Sequence, residues 1–451
     1  MLTAEQNALV TRTGAGTPAG TFLRCYWQPV ALVEELDGDR PVKPLQIFGQ
    51  HVVLFRDNGG RYGLLDRDCP HRNADLAYGR LEDGGLRCAF HGWLFDVSGR
   101  CLEMPAEPLD SRFCEKVHQR SYPVCERNGI LFAYFGGDEP PAFPHLDCFL
   151  APDAYSFAFK GFWECNWLQA VEVGIDPAHA SYLHRFFEDE DTDLGYGRQF
   201  RAATESTMPV TKVLRDYARP EILVRSQKFG LALAAVRRID EVQTHVRMTN
   251  LIFPNAICVP MSDEMTLTQW HVPIDDVTSY WYTIFTSYGA PVNKDAMRRQ
   301  RLELYTLPDY RPRVGKSNSY GFRAEEQRSQ TYTGMGDDIN VHDQWAVESQ
   351  GAIQDRTREH LAQSDKGITA YRKLLLDAIK TVIGGGTPLM VLDETQGAEI
   401  RGPGTIDGLG PSKDWEAYWQ RAIEARIAAA PWPAAHADLA ASSTNNAAWR
   451  S

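Results

Sequence analysis

The chain has 451 residues, 43% of them hydrophobic and 24% charged, which is room for two or three domains, each with its own core. Its net charge of −12 and pI of about 5.5 argue against nucleic acid or an anionic membrane surface as a partner. No run of 18 apolar residues occurs, so no membrane span is expected. The polar and acidic start, MLTAEQNALVTRTG, lacks the pattern of a signal peptide, and a cytoplasmic location is the expectation. Nine cysteines, an odd number in so long a chain, do not make a disulfide framework. In a reducing compartment a clustered subset points instead to metal binding.

Along the chain, the first 150 residues read as strands. Runs such as HVVLF (51–55) and ILFAYF (130–135) alternate with the turn signals DNGG, EDGG and FGGDEP. The Gly-rich GAGTPAG (14–20) has no strand before it and no Lys, so it reads as a loop rather than a phosphate cradle. A Pro-rich stretch, DEPPAFPHLD (138–147), marks a boundary. Strands return at MTLTQWHV (265–272) and SYWYTIFT (279–286). The last third turns helical. GITAYRKLLLDAIKTVI has helical apolar spacing and stops at Gly384–Gly386, and SKDWEAYWQRAIEARI (412–427) is a second helix with Ser412 as N-cap. Three segments are expected: 1–150, 151–430, and a loosely held tail over 431–451.

Residues 69–93, CPHRNADLAYGRLEDGGLRCAFHGW, carry the strongest chemical signal. Cys69-x-His71 is followed, after sixteen residues, by Cys88-x-x-His91. Each half offers one thiolate and one imidazole on a short loop, and two such loops can close over one inorganic centre. Structural zinc usually takes Cys-x₂₋₄-Cys with a later His pair. A Rieske [2Fe–2S] cluster takes two Cys on one iron and two His on the other. Mixed pairs on both loops, among Gly turns and strands, favour the cluster over zinc.

This segment, continuing into WLFDVSGRC, resembles the Rieske domain of the Rieske non-haem iron oxygenases. The upstream GTPAGTFLRCYWQPVAL and the downstream HDQWAVESQGAIQDRTREHLAQSD (342–365) are similar to the phthalate-type branch, which has oxygenase subunits only. The resemblance implies that Cys69 and Cys88 hold one iron and His71 and His91 the other. It also implies an α+β fold, an N-terminal antiparallel-β Rieske domain followed by a helix-grip catalytic domain of antiparallel sheet and helices.

Residues 176–184, DPAHASYLH, then take on meaning. His179 and His184 are five residues apart, so on a regular helix their side chains would diverge by about 140°. Two histidines meant for one ion usually sit at i, i+4. The resemblance nevertheless matches NWLQAVEVGIDPAHASYLH (166–184) to the family's mononuclear iron segment and makes His179 and His184 ligands of an Fe(II) facial triad. If both bind one ion, the segment must hold a π-type widening or a bend between Ala180 and Leu183. For the third ligand, spacing does not choose among Asp337, Asp338, Asp343 and Asp355; the resemblance selects Asp343, which locally reads as a solvated helix N-cap. Asp176 reads locally as a helix N-cap followed by Pro. The resemblance gives it a second role, bridging the iron site to a Rieske histidine of a neighbouring subunit, and so implies a homotrimer or two stacked trimers. Asn166 is a candidate to line the site, its bland reading being a residue at a helix start.

The implied activity is that of a terminal oxygenase. A separate flavin and iron–sulfur reductase takes electrons from NADH, the Rieske centre relays them, and Fe(II) activates O₂ against an aromatic substrate. Hydroxylation, O-demethylation, cis-dihydroxylation and N-dealkylation all occur in the family. A carboxylated aromatic would want an Arg in an apolar pocket, for which Arg247, Arg201 and Arg225 are the candidates beside their plainer reading as surface arginines. The acidic FFEDEDTDLGYG (186–197) reads as a solvated loop or a lid. The competing class is a non-catalytic Rieske or zinc protein that carries electrons or binds a partner.

Overall fold

The strand-rich first third forms three small antiparallel sheets in the computed structural model, which describes residues 1–82, 84–137, 139–188, 210–262 and 264–432. Two short helices precede them, α1 (Ala4–Thr11) and α2 (Pro18–Leu23). The Gly-rich segment before α2 is a loop and helix start: the Thr17 side chain accepts from the Gly20 N–H and Pro18 takes the first helical position. The strands that follow are β1 (Trp27–Leu32), β2 (Val42–Ile47), β3 (Gln50–Arg56), β4 (Tyr62–Asp66), β5 (Arg80–Glu82), β6 (Gly85–Arg87), β7 (Leu94–Phe95), β8 (Cys101–Glu103), β9 (Val124–Arg127) and β10 (Ile130–Tyr134). They pair as β1–β10–β9, β2–β3–β4 and β5–β6–β7–β8. Val53, Phe55, Leu65, Leu76, Leu86, Trp93 and Phe95 fill a separate small core among the last two sheets.

A second, larger sheet carries the rest of the chain. Its strands are β11 (Ser156–Trp163), β12 (Glu221–Gln227), β13 (Gly230–Arg238), β14 (Gln243–Ile252), β15 (Ala256–Pro260), β16 (Met265–Pro273) and β17 (Ser279–Ser287). They run in the order β11–β17–β16–β15–β14–β13–β12, antiparallel throughout, and a late strand, β18 (Ile406–Pro411), adds to β14. Both strand runs expected at 265–272 and 279–286 are here.

Directly opposed residues share a face. Leu233, Thr249, Leu251, Ile257, Gln269, Thr283 and Phe159 therefore form one side of the sheet. Helix α3 (Trp167–Gly174) lies on that side, with Gly174 close enough to Ile257 that a Cβ there would meet its Cδ1 at 2.3 Å. Helix α6 (Lys366–Ile383) also packs there, Gly367 over Leu233, and it ends at Gly384 as the periodicity requires. Between them come α4 (Val210–Asp216) and α5 (Ile339–Glu348). The opposite face of β13 and β14 is covered by α7 (Trp415–Ala429), whose Trp419 rests on Gly408 and Gly410. The expected helix start at Ser412 is not used. Pro411 still pairs in β18, Ser412 bonds Thr244, and the helix begins after Asp414 in a left-handed conformation.

One continuous core joins the N-terminal helices, the β1–β10 ladder and the inner residues of the large sheet, from Val10 and Phe22 through Phe132 to Ile284 and Tyr371. The Pro-rich stretch is tied into it, since His145–Leu146 pairs with Arg401–Gly402. The tail beyond residue 432 and residues 189–197 of the acidic loop lie outside the described residues. Among the described residues no helix is long and apolar enough to cross a membrane.

Candidate metal centres and their surroundings

The two Cys/His loops share one backbone design. Cys69 N–H donates to the Ala74 carbonyl at 2.9 Å, and Asn73 N–H donates back to the Cys69 carbonyl at 2.8 Å. In the second loop Cys88 N–H donates to Trp93 and Gly92 N–H to Cys88, at 2.8 and 3.0 Å. Each loop turns on one left-handed residue, Asn73 (φ 59°) or Gly92 (φ 77°). The result points both cysteines inward, where they are buried, and leaves both imidazoles half-exposed at the rim. His71 and His91 lie with ring centroids 4.3 Å apart, and Trp93 stacks on His71 at 4.4 Å.

These residues suit an inorganic cluster. All nine cysteines are unbridged, and burial pushes the Cys69 thiol up to about 12, so it ionises only with a cation to replace the proton. His71 Nδ1 is buried without a hydrogen-bond partner. Among the described residues, no three of the four ligand groups fall within 4.8 Å of one another, although a compact tetrahedral zinc site would gather them around one point. A two-iron cluster spans a wider gap.

The second site is built from distant parts of the chain. Helix α3 opens on Asn166, whose Oδ1 accepts from Leu168 N–H and whose Nδ2 donates to the Thr11 and Asp276 carbonyls. Asn166 is thus a fully buried helix cap bonded to other segments, the plainer of its two readings. Glu172 anchors the other end of α3. It is buried between Arg356 and Arg372, at 2.8 and 2.6 Å. Burial would raise its carboxyl, and the two guanidiniums reverse that to a net lowering. Gln169 ties α3 to the end of α5 through the Val347 and Gly351 carbonyls.

After α3 the chain does not continue as a helix. Asp176 Oδ1 accepts from Ala178 N–H at 3.1 Å, capping a turn, and His179–Ser181 forms a single tight 3₁₀ turn. Both Tyr182 and Leu183 N–H reach the His179 carbonyl, at 2.9 and 2.8 Å, and Tyr182 (φ −122°, ψ −54°) breaks the turn. The expected bend between Ala180 and Leu183 is present. The expected π-type widening is not: the turn is tightened and then broken, which also swings the two rings together.

His179 Nε2 and His184 Nε2 come within 3.1 Å of each other. Asp343 Oδ1, from α5, lies 3.2 Å from His184 Nε2 and 3.7 Å from His179 Nε2. Among the described residues this is the only trio of His, Cys, Asp or Glu whose ligand atoms gather closely enough for one ion. Asp343 Oδ1 is buried and has no hydrogen-bond partner. Burial alone would raise the Asp343 carboxyl, but the imidazoles of His184, His179 and His342 hold it below its ordinary value. Burial pushes His179 down, away from the protonated form that could answer that carboxylate. Three lone-pair donors thus face one point, and a divalent cation resolves the arrangement. The rival carboxylates are elsewhere: Asp338 caps α5 through Asn340 N–H, and Asp355 accepts from Thr357.

His342 was not anticipated from sequence. Its Nδ1 lies 3.4 Å from His184 Nδ1 and its Nε2 2.9 Å from the Gly336 carbonyl. The signal available was only its place beside Asp343. A second unanticipated imidazole, His271 on β16, shares the sheet face that α3 covers, 5.5 Å from Trp163, and burial lowers it to about 3.

The arginine candidates separate. Arg201 lies outside the described residues. Arg225 is exposed, pairs with Glu416 of α7 and stands on the sheet face away from the histidines, in keeping with its plainer reading as a surface arginine. Arg247 is on the histidine side, opposite Asp407 of β18, and pairs with it. Asp407 also holds His245 at 2.7 Å. Next to them Arg237, missed from sequence, is buried and donates to Ser181 of the histidine turn at 3.1 Å and to the Tyr217 carbonyl at 3.0 Å.

Residues 26–122 match the Rieske [2Fe-2S] domain family, and residues 133–430 match the family described as LigXa C-terminal domain like. The chain is 32% identical to the phthalate 4,5-dioxygenase oxygenase subunit of Pseudomonas putida, over 96% of this chain and 99% of that protein. It is 33% identical to the tert-butanol monooxygenase / tert-amyl alcohol desaturase oxygenase subunit of Aquincola tertiaricarbonis (83% of this chain, 77% of that one). It is 31% identical to the 5,5'-dehydrodivanillate O-demethylase oxygenase subunit of Sphingobium sp. (87% and 84%). In fold it resembles the Pseudomonas putida CBB5 NdmA QL mutant with caffeine (TM-score 0.55, 18% identity, 87% of this chain and 98% of that one). It also resembles the carbazole-bound oxygenase and ferredoxin complex of carbazole 1,9a-dioxygenase (TM-score 0.52, 19% identity, 84% and 98%).

Proposed function

Because this chain belongs to the Rieske non-haem iron oxygenases as an oxygenase subunit, we propose that His179, His184 and Asp343 are its mononuclear iron ligands and that its substrate is an aromatic carboxylate. One observation carries the ligand assignment: two Nε2 atoms and a buried, unbonded Oδ1 face one point within 3.7 Å of each other. Cys69, Cys88, His71 and His91 hold the cluster. When bound, the cluster supplies single electrons and the ferrous ion supplies the binding and activation of O₂.

The chain's own residues do the rest. The broken turn aims both imidazoles, and the ties from α3 to α5 bring Asp343 to them. Neutral His271 and the aromatic Trp163 form part of an apolar wall on the same sheet face. Arg237 and Arg247 place two guanidiniums against the single carboxylate of Asp407 beside the histidine turn, and that surplus of positive charge favours an anionic substrate. Asp176 sits at the start of the turn, where a carboxylate accepts an imidazole N–H from His71 or His91 of a neighbouring copy. That role requires a closed ring, a homotrimer or two stacked trimers. Electrons arrive from NADH through a separate flavin and iron–sulfur reductase; the carbazole system, which pairs its oxygenase with a ferredoxin, supplies the alternative donor.

Metal analysis and turnover test this reading together. About three irons per chain are expected, two in the cluster and one apart. With NADH and reductase, a panel of aromatic carboxylates, methoxylated ones included, is expected to give coupled product. Tertiary alcohols are the control, since one relative is a tert-butanol monooxygenase. Uncoupled peroxide from every aromatic acid would overturn the substrate class, and labelled O₂ counts the oxygen atoms inserted.

A further inference from the structure

We infer that His342 is a positioning residue that fixes the tautomer of the iron ligand His184, through a chain running from His184 to His342 to the Gly336 carbonyl. The inference rests on the reading of His179, His184 and Asp343 as a metal site. A carbonyl oxygen only accepts, so His342 Nε2, at 2.9 Å from Gly336 O, carries a proton. In an imidazole one ring nitrogen donates and the other accepts, so with Nε2 donating to Gly336 the Nδ1 of His342 is the acceptor.

That acceptor faces His184 Nδ1 at 3.4 Å. The two rings are within 22° of coplanar and their centroids are 5.7 Å apart. The excess over the nitrogen–nitrogen distance is about two ring radii, so the nitrogens face each other in plane, as an imidazole hydrogen bond requires. His184 Nδ1 therefore holds the proton and donates. Its Nε2 is left with a free lone pair, and that is the atom 3.1 Å from His179 Nε2 and 3.2 Å from Asp343 Oδ1. The tautomer a metal needs is thus set from the far end of the chain, before any ion arrives.

The far end is itself well held. Gly336 lies in the left-handed region at φ 76°, and its N–H donates to Glu326 at 2.6 Å. Glu326 is buried and also accepts from Thr331 at 2.8 Å. Because His342 and Asp343 are neighbours on α5, one helix supplies both a direct ligand and the group that orients another.

Co(II) binding to protein freed of its mononuclear ion, with the cluster retained, tests this. Wild type is expected to take one Co(II) at this site and His179→Ala none; a wild type that takes none overturns the metal-site reading itself. His342→Phe keeps the ring but cannot accept, and its Co(II) affinity is expected to fall about 10–100-fold. His342→Asn puts an amide oxygen near the position of Nδ1 and is expected to recover affinity to within about threefold of wild type. Wild-type affinity in His342→Phe, or equal loss in both variants, overturns the inference while leaving the metal site standing. Should His342→Phe fail to fold, ¹⁵N spectra of histidine-labelled, Zn(II)-loaded wild type decide. Protonated Nε2 on His342 and Nδ1 on His184 are expected, and the reverse overturns the assignment.

Discussion

The Cys/His loops and the His/Asp trio, the two proposed metal centres, are built by opposite strategies. The loops lie within 23 consecutive residues, Cys69 to His91, and repeat one hydrogen-bond pattern twice. Their geometry is local, set by two left-handed turns and short ladders. The trio spans residues 179 to 343, and nothing near either end fixes it alone. Asp343 reaches the histidines because Gln169, Glu348 and Glu172 lock α3 to the segments around α5 and α6. A relay site can be prebuilt in a rigid local frame, whereas a site that must admit substrate sits between elements.

Ligand removal is the strongest way to break the two apart. Asp343→Ala is expected to lower turnover at least about 100-fold while the cluster absorption stays intact. Cys88→Ser is expected to lose the cluster spectrum and two irons per chain while still binding Co(II) at the trio. Loss of both centres in either variant would show that the two sites fold as one unit.

A smaller effect is expected from the scaffold of the trio. Glu172→Gln leaves Arg356 and Arg372 buried without their shared carboxylate, at a cost of about 3–5 kcal/mol in denaturant unfolding. Hydrogen exchange is expected to rise in α3 and the histidine turn and to stay unchanged at residues 69–93. Uniform loss of protection would erase the distinction drawn above.

The smallest effect concerns acid. Asp407 is held at about 2, because Arg247 and His245 more than offset the burial that would raise it. A depressed carboxyl stabilises the fold above its unfolded value near 3.9 and loses that contribution as pH falls towards about 2, a span worth about 2–3 kcal/mol. Asp407→Asn is expected to be less stable at pH 6 and to flatten the decline between pH 5 and 2. An unchanged profile would mean that the pair forms equally in the unfolded chain.

The same contrast governs what the sequence disclosed. Cys69-x-His71 and Cys88-x-x-His91 are legible because their chemistry is written in adjacent letters; strand runs and a helical last third are legible too, while the α+β division into two domains came from the resemblance those motifs carry. His179 and His184 were misaligned on any regular helix, so their convergence depended on a turn at Tyr182 that no propensity announces. Spacing did not tell Asp343 from Asp338; the resemblance selected Asp343, and the fold-back of α5 sets its carboxylate beside the two histidines while Asp338 caps the helix. Asn166 was readable as a helix start, but its bonds to the Thr11 and Asp276 carbonyls were not, because those partners are far away in sequence. Arg225 and Arg247 differ by which face of one sheet they occupy, and that depends on the register of β12 and β14.

Strand β18 has a consequence in time as well as in space. A ribosome releases the histidine turn first, Asp343 some 160 residues later, and Asp407 later still. Until β18 has joined β14, Arg237 and Arg247 face the inner wall of the sheet with no acid from this strand between them. The last strand among the described residues, made after all three proposed metal ligands, thus supplies the carboxylate that Arg247 pairs with.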